Sequence, residues 1–304
     1  MFKFRILALA TALSALAPLA WAPAAQAAAP DCPNGGTVRF GIEPFESAAR
    51  LIPLFNKIGD ALGKKIDCNV QILVTTNYSA EIEAMRNNKL EMGEFGPLGY
   101  VLAHQVANAQ AIAAYSGPDG KPDVYTAGIV TWPGSGITKI ADVAGKTFAY
   151  SDPASTSGHL FPATELKRVG IDPDSGIKPL YAGSHTASFE TIRNHKVQAG
   201  ELNSTQINAG IMTGEYKPAD FIELWRSSPI PNDPVAIWGG LQPGFKARLT
   251  NAVQTLDFTT ILTPDELKTV GASQAHMVPQ VDAAYNPIRD LVSVLHLDLA
   301  KLNE

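Results

Sequence analysis

Short β-type runs alternate with helical runs along most of this chain, and that alternation restricts it to an α/β architecture. Residues 38–42 and 70–74 are rich in Val, Ile, Leu and Phe. Between them Ala48, Leu51, Ile52, Phe55, Ile58 and Leu62 recur at helical spacing. The same reading predicts a helix over 79–87, a strand over 92–95 and a helix over 98–106. Further strands are expected at 146–150, 197–202 and 221–225, with helices at 158–169 and 185–193. The tail, from Gly244 onward, reads as mainly helical, over 245–256, 263–270 and 282–297. Such an order predicts largely parallel sheets.

A chain of 304 residues is too long for one ordinary core and suits two lobes. After the polar loop 116–123, the β-rich run 124–132 is long enough to cross between lobes. The Pro-rich stretch Ser227-Ser228-Pro229-Ile230-Pro231-Asn232-Asp233-Pro234 reads as the return. One lobe is therefore expected over 125–226, and the other over 28–124 together with 227–304. Two crossings make a hinge, and a ligand would sit in the cleft where strand ends and helix N-termini meet.

The first residues read as an export signal. Lys3 and Arg5 precede an apolar run over 6–20, and Ala25-Gln26-Ala27 offers small residues for cleavage before Ala28. The run is shorter than a span of ~20 residues and is interrupted by proline. Residues 1–27 are thus expected to be removed, leaving a soluble periplasmic protein. No lipobox precedes Cys32. Cys32 and Cys68 are the two cysteines of the chain, and each stands shortly before an expected strand. In an exported protein they are expected to form a disulfide.

Other chemistries find little support. The formal net charge of -5 argues against a nucleic-acid partner. The six histidines show no metal-ligand spacing, and GxSxG, CxxC and P-loop patterns are missing. No metal, cofactor or catalytic residue is expected.

The segment that carries chemistry is Tyr150-Ser151-Asp152-Pro153-Ala154-Ser155-Thr156-Ser157-Gly158, followed by His159-Leu160-Phe161-Pro162. A strand ends there, and three hydroxyl residues run into a helix start. Free N–H groups and the macrodipole favour an anion at that point, and the hydroxyls add donors. Capping a helix needs only one hydroxyl. Gly158 would let the backbone approach a ligand closely.

This block resembles the signature of the phosphate, phosphite and phosphonate-binding proteins of ABC transporters, the PhnD-like family. Further matches follow in order: Thr76-Asn77-Tyr78, Gly96-Pro97-Leu98-Gly99-Tyr100, Gly183-Ser184-His185 and the stretch from Pro229 to Pro234. The resemblance covers nearly the whole mature chain. It implies a two-lobed, hinged periplasmic binding protein of type II, acting as a monomer that hands its ligand to an inner-membrane ABC permease. It implies that Ser155, Thr156, Ser157 and His185 donate to a small oxyanion from one lobe, while Tyr78 and Tyr100 reach in from the other. Asp233 keeps one position where relatives would hold an ammonium group.

Three departures qualify that picture. Asn203-Ser204-Thr205 has no acid where a second ammonium ligand would stand, which favours a small anion without a cationic tail. Glu94 replaces a bulky apolar residue; it either faces the cleft, accepting a hydrogen bond from a protonated ligand, or faces solvent. Gln198 stands where an acid is common and is given no role. The expected function is the solute-binding component of an importer; the alternatives are a sensory binding protein of the same fold and a periplasmic phosphoester hydrolase.

Overall fold

Hydrophobic alternation sorts the strand residues onto the two faces of two sheets, as a computed structural model shows for residues 31–272 and 274–295. The chain runs through β1 (Thr37–Ile42), α1 (Ala48–Ile66), β2 (Asn69–Val74), α2 (Tyr78–Arg86), β3 (Met92–Glu94), α3 (Pro97–Ala107) and β4 (Ala109–Tyr115). It then passes through β5 (Val124–Tyr125), β6 (Gly128–Thr131), β7 (Thr147–Tyr150), α4 (Phe161–Arg168), β8 (Lys178–Tyr181), α5 (His185–Arg193), β9 (Ala199–Glu201), α6 (Ser204–Thr213) and β10 (Ile222–Arg226). It closes with β11 (Ile230–Pro231), β12 (Pro234–Trp238), α7 (Pro243–Gln254), α8 (Pro264–Thr269), β13 (Met277–Pro279) and α9 (Asn286–Leu295). The expected helix over 282–297 falls partly outside the described residues, as does the expected signal segment 1–27. No described helix is long and apolar enough to cross a membrane.

The architecture is the expected two-lobed α/β fold. One sheet has the order β13-β4-β12-β3-β1-β2 and the other β10-β6-β9-β7-β8. Both are mixed rather than largely parallel. β2, β1 and β3 are parallel, but β12 runs antiparallel to both β3 and β4. In the other sheet β8, β7 and β9 are parallel, β6 pairs antiparallel with β9, and β10 pairs antiparallel with β6. The returning strand β12 inserts between β3 and β4, and a strand that enters from the far lobe arrives pointing the opposite way.

The second sheet shows how sequence sorts its faces. Ile129 and Phe148 pack under α4 with Leu166, whereas their neighbours Val130 and Ala149 pack under α5 with Phe189 and Ile192. In the first lobe Leu51, Phe55, Ile58 and Leu62 of α1 join Phe40, Phe245 and Leu249 in one core. A further apolar cluster on the other side of that sheet spans the lobes, joining Leu98, Tyr100 and Tyr285 to Ala154, Leu160 and Phe161.

The run expected to cross as one strand is broken. β5 leaves the sheet and pairs with β11 in a separate antiparallel ribbon, with Tyr125 opposite Ile230. Beyond it Ala127 and Ser227 bond to each other, through Ser227 N to Ala127 O and Ala127 N to Ser227 Oγ, both 2.9 Å. The two passes between lobes therefore lie side by side.

Cys32 and Cys68 form a disulfide with their Cα atoms 6.0 Å apart. The parallel register Thr37↔Asn69 explains it, because both cysteines precede paired strands at the same sheet end. The bridge spans 36 residues of sequence, and restricting such a loop in the unfolded chain is worth about 3–4 kcal/mol. Reduction, or Cys32→Ser with Cys68→Ser, is expected to lower the unfolding free energy by that amount, read as a lower urea midpoint. An unchanged midpoint would show that the bridge constrains nothing of consequence.

Candidate functional site

Five helices begin around one cavity of ≈ 360 Å³, at Tyr78, Gly96, Ser155, His185 and Asn203. These starts belong to α2, α3, the turn before α4, α5 and α6, three of them in one lobe and two in the other. Strand ends contribute as well. Glu43 follows β1 and Glu94 closes the neighbouring parallel strand β3, so both stand at carboxyl ends.

Ser155, Thr156 and Ser157 line the cavity and are buried. Ser155 Oγ accepts from Gly158 N at 3.1 Å, as a helix cap does. The chain then makes a wide π-type turn over Thr156–Leu160 before α4 begins, a feature common at functional sites. Thr156 Oγ1 accepts from Leu98 N at 2.8 Å, so the opening turn of α3 bonds across to the other lobe. Another link between lobes runs from the main-chain N–H of Tyr78 to the Asp152 carboxylate. Gly158 has a different reason from the one expected. Its missing Cβ leaves room for Ser151 and Ser155, so close side-chain packing, not ligand approach, explains it.

His185 opens α5 and is buried. Its Nε2 lies 3.3 Å from Ser155 Oγ, and its Nδ1 lies 3.0 Å from Glu201 Oε1. Burial pushes the imidazole pKa down, but the charge and hydrogen bond of Glu201, with Asp233 and Asp152 behind, more than offset this and raise it. Asn203 Nδ2 donates to Ser157 Oγ at 3.3 Å, tying α6 to the same cluster.

Tyr78 lines the cavity and is buried; desolvation first, then the Glu43 charge, hold its phenol well above the usual range, so it remains a donor. Tyr100 does not reach the cavity. Its hydroxyl donates to Asp282 Oδ1 at 2.8 Å and accepts from Ala111 N at 3.3 Å, and its ring packs on Tyr285. At the fourth position of α3 the side chain points to the turn Asp282–Tyr285 before α9 rather than to the helix opening. The second cavity phenol is Tyr125, on β5, within hydrogen-bonding reach of Ser157 and Thr156.

Glu94 faces the cavity rather than solvent: it is 6% exposed, and its Oε2 is enclosed without a partner. Burial, then the Asp233 charge, push its pKa up to about 8. Asp233 also lines the cavity with Oδ1 enclosed, and burial pushes it up to about 7 against the opposing pull of His185. A third acid, Glu43, was not foreseen. Its Oε2 accepts from Gly96 N at 2.8 Å, while desolvation, then the Glu81 and Asp233 charges, hold it well above the carboxylate range. Acids thus reach the cavity despite their absence at 203–205. The lining cations Arg50 and Lys268 are exposed at the mouth, near Glu46 and Asp265. No group of side chains suited to a metal occurs among the described residues.

Residues 40–284 match the family of the periplasmic substrate-binding protein of phosphonate ABC transporters. The chain belongs to this family. The binding protein is 24% identical over 275 residues to the phosphate-import protein PhnD of Mycolicibacterium smegmatis, covering 85% of each chain. It is 27% identical over 205 residues to the phosphonates-binding periplasmic protein of Escherichia coli, covering 66% of this chain and 60% of that one. Its fold resembles that of PhnD1 from Prochlorococcus marinus, solved with methylphosphonate, at a TM-score of 0.75 and 19% identity over 86% of this chain and 98% of the other. As a member, the binding protein is a periplasmic solute-binding component of an ABC importer, which implies a membrane permease as partner.

Proposed function

We propose that this protein captures a small tetrahedral phosphorus oxyanion, a phosphonate, phosphite or phosphate, in the cavity between its lobes and delivers it to its permease. The supporting observation is the convergence of five helix N-termini, with neutral hydroxyl and phenol donors, on a cavity whose lining lysine and arginine lie at the mouth. Helix dipoles and oriented N–H groups bind anions without a fixed counter-charge. Ser155, Thr156, Ser157, Tyr78, Tyr125 and His185 are the donors. The β5–β11 ribbon, with the bonded pair Ala127 and Ser227, is the hinge between the lobe over 125–226 and the rest.

The Ser155–His185–Glu201 line has the connectivity of a nucleophile, base and orienting acid. Its electrostatics argue for binding instead. Glu201 raises the imidazole pKa and so favours the protonated form, which donates from Nε2 rather than taking the serine proton. Ser155 Oγ then accepts from both His185 and Gly158, and its own hydrogen is left to point at the ligand.

A thermal-shift panel on the mature protein tests this reading. At ~100 times its dissociation constant a ligand stabilises by about 2.7 kcal/mol. A clear shift is expected with methylphosphonate, phosphite or phosphate, and little with sulfate. Silence toward every phosphorus oxyanion would overturn the proposal. A strong preference for 2-aminoethylphosphonate would turn Glu43, Glu94 and Asp233 into an ammonium clamp and remove the expectation of a tail-free ligand.

A further inference from the structure

The donors account for one wall of the cavity; the wall formed by Glu43, Glu94 and Asp233 is made of acids. Glu43 is 3% exposed and Glu94 6%. Glu43 Oε1, Glu94 Oε2 and Asp233 Oδ1 are all enclosed without a hydrogen-bond partner. Behind them Glu81 of α2 fills the space left by Gly41 and Gly93, a register pair on β1 and β3 whose Cβ atoms would strike its carboxyl. The acids therefore sit in a shape built around them.

The groups that face Glu94 leave it no cation. They are Asp233 on the return pass, Glu81 from α2 and Tyr115 from β4. Glu43 faces Glu81, Asp233, Asp152 and Tyr78. His185, the base whose charge pulls against the rise at Asp233, is already engaged by Glu201. A carboxylate only accepts hydrogen bonds, and an oxyanion offers mostly acceptors. Three ionised acids ringed around such a ligand at low dielectric would repel it and one another. A protonated carboxyl, in contrast, is a neutral donor.

We propose that Glu43, Glu94 and Asp233 meet the bound oxyanion as neutral carboxylic acids that donate hydrogen bonds to it, so that the anion is captured together with protons. The proposal rests on the oxyanion reading above and identifies the ligating form of its second wall. Glu94 is its most accessible reporter, because its side chain holds a proton up to about pH 8, whereas Gln offers an N–H donor of the same shape at any pH.

The test compares methylphosphonate affinity in the wild type and in Glu94→Gln, by calorimetry from pH 6 to pH 9. The ligand's own titration is common to both proteins and cancels in the ratio of their dissociation constants. That ratio, wild type over variant, is expected near one at pH 6 and about tenfold at pH 9, since a group one unit above its pKa is roughly nine-tenths ionised. Repeating the titration at pH 8.5 in two buffers of different ionisation heat should show more proton uptake by the wild type than by the variant. A Glu43→Gln variant, read the same way, covers a failure of Glu94→Gln to fold. A flat ratio across pH overturns the proposal, as does a folded Glu94→Gln protein that has lost binding at every pH, which would mean that a carboxylate accepts from a ligand donor. If the wild type binds no phosphorus oxyanion at all, the oxyanion reading itself falls, and this proposal with it.

Discussion

Alanine at both Ser155 and Thr156 is expected to abolish the ligand-induced thermal shift while leaving a folded protein. Hydrogen bonds to a charged partner are worth about 1.5–3 kcal/mol each. Losing two weakens binding by roughly two to four orders of magnitude. The unliganded protein also changes, and the size of that change is separable. Ser155 Oγ caps the turn through Gly158 N, and such a cap is worth about 1 kcal/mol. Thr156 Oγ1 satisfies Leu98 N across the lobes, so its loss leaves a buried donor bare at a cost of about 1–3 kcal/mol. Asp172→Ala supplies the control, because Asp172 Oδ1 accepts from Asp174 N and Ser175 N in an exposed turn away from the cavity. That variant should lose local stability and keep its ligand response. A double variant that still shifts by the wild-type amount would remove the hydroxyls from the binding account.

The place of Ser155, Thr156 and Ser157 in the cavity lining was legible because their composition exceeds what a structural role requires: three hydroxyls stand where one would cap the helix. Tyr78 and His185 were legible for a related reason, since each is the first residue of a helix whose cap, Asn77 or Ser184, is plain in the sequence. Tyr100 misled because nearness to a Gly-Pro helix start fixes the helix but not which way its fourth residue points. Tyr125 was hidden in a β-rich run where an aromatic reads as a strand residue, and the break that turns it into the cavity has no local signature. Glu43 depends on β1 and β3 being parallel neighbours, and that pairing is a property of the sheet order. β4 went unseen because its run Ala-Gln-Ala-Ile-Ala-Ala-Tyr has little β-branched content, and β12 because it opens on Pro234. β12 runs against β3 and β4, and β13 against β4, so missing these pairings and expecting a parallel first sheet were one error.

Glu94→Gln is expected to make the unliganded protein markedly more stable at alkaline pH and to change little at pH 4. The side chain titrates near 4.5 when unfolded and at about 8 when folded. Between those values the native state holds a proton that the unfolded state has released, so stability falls as pH rises through the window. Below it both states are protonated and no penalty exists; above it the loss is complete. A gap of this size corresponds to roughly 3–5 kcal/mol, or about 10 °C in Tm for a chain of this length. Asp233→Asn should show the same sign over a window that closes about one unit lower, because burial lifts that acid from 3.8 to about 7. The measurement is Tm against pH for the wild type and both variants without ligand. Parallel curves would mean that these acids are ionised and solvated in the native protein. Curves that converge at pH 4, separate through each window and run parallel above it would show that folding holds protons inside the cavity at a cost in stability. On the proposed binding mode, a bound oxyanion would relieve that stored cost by giving the enclosed carboxyl protons something to bond.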